Sequence, residues 1–277
     1  MLKNIDCFGR QLDLSRPQVM GILNVTPDSF SDGGNFNTHD KALSHARDMF
    51  NQGASIIDVG GESTRPGSEN ISLQQELDRV IPVIEKINQQ LDVIISIDTS
   101  KAQVMQEAKS AGAGFINDVT ALQGEGSLQM AAKLGLPICL MHMQGSPDSM
   151  QNSPGYNNVI GDVLHFFNNR IEACIQSSIR KDQLIIDPGF GFGKTLQHNL
   201  QLLNCLSEFK TIDLPILIGL SRKSLLQHIT GRVVEDRLAG SLSLAVIAAL
   251  NGGTIFRVHD VKETVDALNV VQAISTC

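Results

Sequence analysis

The stretch VIISIDTSKAQVMQEAKSAGAGFINDV, residues 93–119, decides the fold class. An apolar run that ends at Asp98 is followed by a segment of helical character, which Gly112 ends. A second apolar run, Phe115–Asp118, comes next. Neither run alternates polar with apolar residues, which is typical of parallel strands buried on both faces. The stretch predicts one strand–helix–strand unit.

The same unit recurs along the chain. The predicted strands are Val19–Val25, Ser55–Val59, Val93–Asp98, Phe115–Asp118, Pro137–His142, Leu184–Asp187, Ile216–Gly219 and Thr254–Val258. Amphipathic segments lie between them, with helix starts predicted at Thr38, Ser72 and Asp260 and helix ends at glycines. Eight alternations in about 250 residues predict an α/β protein with one (β/α)8 barrel domain over residues 1–277. A doubly wound open sheet is the alternative.

Composition and charge exclude several classes of protein. The chain has 277 residues, of which 42% are apolar and 18% charged, so it is neither disordered nor collagen-like. Its net charge of −7 gives no overall attraction to nucleic acid or to an anionic membrane. The five cysteines show no metal-binding or disulfide spacing, and neither a secretory signal nor a membrane-length apolar run is evident. We expect a cytoplasmic protein.

Polar residues mark the ends of all eight predicted strands. In barrels of this type the active site lies at the carboxyl ends of the strands. One such residue is explained by turn chemistry, but eight around one rim indicate a functional site. They are Asn24, Asp58, Asp98, Asn117 with Asp118, His142, Asp187, the Ser221-Arg222-Lys223 triplet, and Arg257 with His259.

These residues divide into two chemical sets. Arg65, Lys223, Arg257 and His259 form the cationic set, and the last two are two residues apart on one strand, so their side chains point the same way. They suit a phosphate or diphosphate. The alternative is that the arginine at the barrel end pairs with a carboxylate.

Asp98, Asn117 and Asp187 form the second set. Carboxylates and an amide converging on one site suit a flat heterocycle rich in N–H groups, such as guanine or a pterin. The alternative for Asp98 and Asp187 is a helix cap or a turn.

Two other features need a separate interpretation. GFGFGKT, residues 189–195, resembles a P-loop, but Pro188 stands where the first glycine is required, so a nucleoside triphosphate site is not predicted. The long loops over residues 26–34 and 63–70 are expected to close over substrate, with Phe30 as a candidate contact for a ring or as part of a small local core.

Eight longer motifs carry a family resemblance over about residues 19–272. In order they are MGILNVTPDSFSDGG (20–34), DVGGESTRPG (58–67), SIDTSK (96–101), INDV (116–119), MHMQ (141–144), DPGFGFGK (187–194), SRKS (221–224) and RVHDV (257–261). Together they closely resemble the bacterial dihydropteroate synthases. The resemblance implies condensation of 4-aminobenzoate with (7,8-dihydropterin-6-yl)methyl diphosphate to give 7,8-dihydropteroate and diphosphate. It also implies sulfonamide sensitivity and a homodimer formed through late helices, for which the apolar segment Leu238–Leu250 is suited.

The resemblance also assigns roles to individual residues. It implies pterin binding by Asp98, Asn117, Asp187 and Lys223, with a pocket wall of Met141, Gly191 and Phe192. It implies a diphosphate site of Asn24, Arg65, Arg257 and His259, with Asn24 as the Mg²⁺ ligand. It implies an aminobenzoate site of Phe30, Thr64, Pro66 and Ser224. Asp98, Lys223 and Arg257 are then the expected catalytic residues.

Three other functions remain open from the residues. A methyltransferase that uses methyltetrahydrofolate would share the Asp/Asn pterin set but not the Arg257/His259 pair. A catalytically inactive pterin-binding or scaffold protein could keep the barrel. A Schiff-base aldolase would use Lys223 as its nucleophile.

Overall fold

Eight parallel strands form the barrel that the sequence predicts. The computed structural model describes residues 4–26, 35–63, 71–145, 150 and 154–276. The barrel strands are β3 (Gln18–Asn24), β4 (Ile56–Gly60), β5 (Ile94–Asp98), β6 (Phe115–Asp118), β7 (Ile138–Met141), β8 (Leu184–Asp187), β9 (Leu217–Ile218) and β10 (Ile255–Val258). Each strand pairs with its neighbour, and β10 pairs with β3. Between β8 and β9 closure rests on a single bridge, Ile186 to Ile216.

Helices cover the outside of the barrel. Within the described ranges they are α1 (Asn35–Asn51), α2 (Leu73–Gln90), α3 (Ala102–Ala111), α4 (Ser127–Leu134), α5 (Val159–Gln176), α6 (Leu196–Asn204), α7 (Ser224–Thr230), α8 (Leu238–Leu250) and α9 (Val261–Ser275). Eight alternations predict one helix after each strand, and the short α7 is additional to these, since both α7 and α8 lie between β9 and β10. Among these helices none has both the length and the apolarity needed to cross a bilayer.

Local side-chain and backbone chemistry explains where α2 begins and where α3 ends, as predicted. Ser72 and Gln75 form the capping box at the start of α2, with Gln75 N donating to Ser72 Oγ at 3.2 Å. Gly112 ends α3 at φ 118°, a left-handed conformation that glycine adopts without strain. The prediction for Thr38 is wrong, because α1 begins earlier, at Asn35.

A hairpin that was not predicted from the sequence precedes the barrel. Strands β1 (Asn4–Cys7) and β2 (Arg10–Asp13) pair antiparallel. Apolar side chains of the hairpin and of Leu14 pack on the first inward-facing layer of the barrel, in a cluster of Ile5, Cys7, Leu12, Leu14, Met20, Ile56, Ile94, Phe115, Cys139, Ile185, Leu217 and Ile255. The hairpin therefore fills the amino-terminal end of the barrel, opposite the strand ends that carry the polar residues.

Strand register sets the depth of each polar side chain. Asp98 on β5 lies opposite Asn117 on β6 and Gly60 on β4. Asp58 on β4 lies opposite Ser96, two residues before Asp98. Because alternate residues of a strand face the same side, Asp58 faces the barrel interior one layer below the mouth, and Asp98 and Asn117 lie at the mouth.

Candidate active site

Arg257 stands at the centre of the polar mouth. Its Nε donates to Asp58 Oδ2 at 2.6 Å, and its Nη2 donates to Asp98 Oδ2 at 2.7 Å. The alternative in which this arginine pairs with a carboxylate is therefore the arrangement observed. The cationic and acidic sets are not separated in space, since Arg257 joins them.

Burial sets the charge states of this group. Desolvation raises the pKa of Asp98 to about 7, Arg257 opposes the shift, and the charges of Asp58, Asp118 and Glu76 add to it. Desolvation would lower the pKa of Arg257, but the two carboxylates outweigh it and raise that pKa above its ordinary value. Arg257 is thus permanently cationic, while Asp98 changes charge near neutral pH.

Asp58 extends the group to Asn117. The amide Nδ2 of Asn117 donates to Asp58 Oδ2 at 3.1 Å, so one carboxylate oxygen receives both the amide and the guanidinium. Asp58 is fully buried, and its Oδ1 has no hydrogen-bond partner in the described ranges. Asp58 is one of the predicted strand-end residues but belongs to neither of the two predicted chemical sets.

Asp187 and Lys223 form the opposite side of the mouth. Asp187 Oδ1 accepts from the backbone N–H of Gly189 at 2.7 Å. Lys223 Nζ donates to the carbonyl of Phe190 and lies 4.4 Å from the centre of the Phe192 ring. Both charged groups border Gly219, where a Cβ would lie 3.8 Å from Lys223 Nζ and 3.9 Å from Asp187 Oδ2.

Burial also shifts the pKa of both groups. Desolvation lowers the pKa of Lys223 to about 8, and the Asp187 carboxylate opposes that shift. Desolvation raises the pKa of Asp187, which Lys223 opposes. A carboxyl and an amine whose pKa values move toward neutrality suit a site that binds a hydrogen-bonding heterocycle.

The loop between β8 and α6 forms the wall beside Lys223. Gly191 has φ 84°, and its N–H donates to Asn199 Oδ1 at 2.7 Å. A Cβ at Gly191 would lie 3.3 Å from Lys223 Cδ, so glycine lets the loop approach the lysine closely. Met141 is buried at the end of β7. Asn199, which holds this loop, was not predicted.

Lys194 explains the P-loop-like sequence. Its side chain is 3% exposed, and Nζ lies 2.9 Å from the carbonyl of Gly189, 3.0 Å from that of Phe192 and 2.9 Å from His142 Nδ1. Desolvation lowers the pKa of Lys194 to about 7 and that of His142 to about 3. Because its donors are directed at these acceptors, Lys194 stabilises its own loop. This differs from the lysine of a P-loop, which binds phosphate.

Residues around His259 connect the last strand to the loop before α7. His259 Nδ1 lies 3.1 Å from Ser221 Oγ, which also accepts from the His259 backbone N–H at 3.2 Å. Ser224 is exposed at the start of α7. Asp260 precedes α9 as predicted, but its side chain does not cap the helix. It pairs instead with the guanidinium of Arg222, whose Nε donates to Asp260 Oδ2 at 2.9 Å.

Asn24 lies at the rim beside Asp98. Its Oδ1 and Asp98 Oδ2 would each lie 3.7 Å from a Cβ at Gly60, so both oxygens border that glycine. Among the described residues no cluster of three His, Cys, Asp or Glu side chains could form a metal cage. One amide oxygen beside a carboxylate fits Mg²⁺ in its usual setting, where substrate phosphates and waters supply the other ligands.

A partly buried ion-pair network lies at the start of the second long loop. Lys101 Nζ donates to Glu62 Oε2 and to Glu76 Oε2, both at 2.6 Å, and Glu62 Oε1 accepts from the backbone N–H of Ile71 at 3.0 Å. Glu62 thus ties the two ends of that loop together. The predicted residues Phe30, Thr64, Arg65 and Pro66 lie outside the described residues.

Comparisons with known proteins agree with this site. The family model for pterin binding enzymes matches residues 20–259. The dihydropteroate synthase of Escherichia coli K12 is 55% identical over 96% of this chain and 94% of its own length. The crystal structure of the Yersinia pestis dihydropteroate synthase with a sulfonamide drug complex matches with TM-score 0.95 and 54% identity, covering 99% of this chain and 100% of that one. The Xanthomonas albilineans dihydropteroate synthase with 4-aminobenzoic acid matches with TM-score 0.94 and 47% identity, covering 99% of both chains.

The barrel, its polar mouth and these matches define the class of protein: the chain belongs to the pterin-binding enzyme family. Within that family it groups with the dihydropteroate synthases, transferases of folate biosynthesis. The methyltransferase, the inactive scaffold and the aldolase are therefore set aside.

Proposed function

We propose that the mouth of the barrel holds the pterin ring between Asp98 with Asn117 on one side and Asp187 with Lys223 on the other. The two aspartates and Asn117 are all less than one-tenth exposed, and carboxylate and amide oxygens complement the N–H edge of a pterin. Met141, Gly191 and Phe192 line the wall next to Lys223. The observation that carries the proposal is the ion pair between Arg257 and Asp98, which puts a diphosphate-binding cation against a pterin-binding acid.

The diphosphate group of the substrate is bound by Arg257, His259 and Asn24 in this proposal, with Arg65 as a further candidate. Arg257 stays charged at all accessible pH values and can stabilise negative charge on a leaving diphosphate. Mg²⁺ held through Asn24 would supply further charge neutralisation when the diphosphate is bound.

The reaction that these residues support is a displacement at the pterin methylene. The bond from that carbon to the diphosphate oxygen breaks with both electrons leaving on oxygen. The lone pair of the 4-aminobenzoate nitrogen forms the new C–N bond, and that nitrogen then loses one proton. Asp98 in its ionised form stabilises the positive charge that builds on the pterin as the C–O bond lengthens. The arylamine is neutral and needs no base to become a nucleophile.

The aminobenzoate site is proposed at the rim outside the pterin. Ser224 at the start of α7 is the member of this set within the described residues, and it follows Lys223 directly. Phe30, Thr64 and Pro66 complete the proposed set. Because the Yersinia pestis relative was crystallised with a sulfonamide drug complex, we propose that sulfonamides compete at the same place in this chain.

A coupled diphosphate-release assay tests this function. Purified protein is supplied with the pterin diphosphate and Mg²⁺, with and without 4-aminobenzoate, and with EDTA as the metal control. We expect release to depend on the arylamine and to fall when Mg²⁺ is removed. Diphosphate release at the same rate without 4-aminobenzoate would contradict the proposed transfer.

We also propose a homodimer in the cytoplasm. Apolar side chains of α8 and α9 are exposed, with Leu250 61% and Ile274 67% accessible to solvent. An exposed apolar surface on two packed helices suits association with a second copy of the chain. The cysteines of the described residues are free thiols, which fits a reducing compartment.

A further inference from the structure

We propose that Asp58 is a positioning residue that fixes which end of the Asn117 amide faces the pterin. The inference rests on the proposed role of Asn117 in pterin binding and adds a residue to it that lies one layer below the mouth. It assigns Asp58 a part in the selection of the ring as well as in holding Arg257.

The hydrogen-bonding capacity of the three side chains forces the orientation. An ionised carboxylate can only accept hydrogen bonds, and a guanidinium can only donate them. An asparagine amide has one end of each kind. Because Asp58 Oδ2 lies 3.1 Å from the Asn117 amide, only the NH₂ end of that amide can face it.

The carbonyl end of Asn117 is thereby left for a ligand. Within the described part of the chain, the bond to Asp58 is the hydrogen bond that the Asn117 side chain makes. Asn117 lies opposite Asp98 at the mouth, above Asp58. Its Oδ1 is therefore presented as an acceptor, in the place where a donor edge of the heterocycle would bind.

Asp58 cannot move to another position without cost. The carboxylate is fully buried, and its Oδ2 is also held by Arg257 Nε at 2.6 Å. Two donors from opposite walls of the barrel, β6 and β10, meet on this one oxygen. The orientation of the Asn117 amide is thus set by a buried ion pair that a ligand does not need to contact.

Four variants test the inference through the KM for pterin diphosphate. Asp58→Ala removes the acceptor and lets the Asn117 amide adopt either orientation, so we expect this KM to rise roughly tenfold while the KM for 4-aminobenzoate stays unchanged. Asn117→Ala should raise the pterin KM by a similar factor. Ser96→Ala is the matched control, since Ser96 lies opposite Asp58 in the same layer and its Oγ has no partner in the described ranges; we expect no change.

The decisive variant is the conservative one. In Asp58→Asn the new amide must place its oxygen where Asp58 Oδ2 lies, because Arg257 Nε can only donate, so Asn117 still has to turn its NH₂ end toward that oxygen. We expect the pterin KM of Asp58→Asn to stay within about threefold of the native value. A role for Asp58 through its charge alone predicts that Asp58→Asn raises this KM as much as Asp58→Ala does.

The outcomes separate this inference from the proposed function. An unchanged pterin KM in Asn117→Ala would remove the pterin-binding role of Asn117 itself. A raised KM in Asn117→Ala with an unchanged KM in Asp58→Ala, or an equal rise in Asp58→Asn and Asp58→Ala, would overturn the positioning role alone. Should Asp58→Ala fail to fold, N117D decides: it sets two carboxylates face to face and should bind pterin worse than Asn117→Ala, whereas native-like binding would refute the inference.

Discussion

Arg257 Nη2 donates to Asp98 Oδ2 at 2.7 Å, although the two residues are 159 positions apart in the chain. This bond joins β10, the last strand along the chain, to β5, which carries the proposed cation-stabilising acid. A change in the charge of Asp98 therefore acts directly on Arg257, the group that we propose binds the diphosphate.

Replacing Asp98 by asparagine should separate activity from stability. The variant lacks the negative charge that we propose stabilises the developing cation, so we expect turnover to fall by about 100-fold or more in the diphosphate-release assay. A variant with native turnover would refute the role given to Asp98.

The stability of the same variant should depend on pH. Asp98 has a raised pKa of about 7 in the folded protein, against 3.8 when exposed, so the native protein loses stability as pH rises through this window. The amide at this position does not titrate. We expect the melting temperature of Asp98→Asn to improve relative to the native protein between pH 5 and pH 8. A constant difference would contradict the raised pKa.

Replacing Lys194 by methionine should destabilise the protein by about 2–4 kcal/mol, because two loop carbonyls and His142 lose their donor. The pKa of Lys194 is lowered from 10.5 to about 7, so the native protein gains stability from pH 7 to pH 10 as the unfolded lysine loses its proton. Urea denaturation should show a smaller gain over this range in Lys194→Met. Lys133→Met, at an exposed lysine, is the control and should keep the native slope.

Replacing Asp260 by asparagine should weaken the loop that carries Lys223. Arg222 has φ 57°, an unfavourable conformation for a residue with a side chain, and the pair with Asp260 helps to hold it there. We expect kcat/KM to fall by about three- to tenfold, with a loss of about 1 kcal/mol in unfolding free energy. Asp266→Asn on the exposed side of α9 is the control. Equal activity of the two variants would show that the pair does not position Lys223.

Replacing Leu250 by glutamate should convert a dimer to a monomer. A charge placed in an apolar interface must be desolvated without a partner, which costs several kcal/mol. Sedimentation velocity of the native protein and of Leu250→Glu at matched concentrations measures the change. A native protein that sediments as a monomer would remove the dimer proposal.

The barrel was predictable because its strands carry a local signal. The runs ending at Asp98, Asn117-Asp118 and Asp187 are apolar on both faces and change to polar side chains at one end, and each observed strand end lies within one residue of its prediction. The hairpin was missed since its strands have four residues each and gain stability only by packing on the barrel floor. That contact is not encoded in a short pattern.

The site was predictable as a set of residue types but not as a set of pairs. The position of a residue along its strand determines the end of the barrel at which it lies. Asp98, Asn117 and Arg257 were correctly predicted to lie at the carboxyl ends of the strands. The distance across the barrel depends on side-chain length and on the layer below. For that reason the bond from Arg257 to Asp98, and the deeper Asp58 beneath it, could not be derived from spacing.

The hairpin at the barrel floor has a practical consequence for anyone who shortens or tags the chain. Deleting Asn4–Asp13 would expose Met20, Phe115 and their apolar neighbours to solvent. The amino-terminal end of the barrel would then present an apolar surface to water or to another polypeptide. Truncated forms should then aggregate during expression, even though every residue at the polar mouth of the barrel is retained. A fusion partner is therefore better attached after α9 than in place of the hairpin residues.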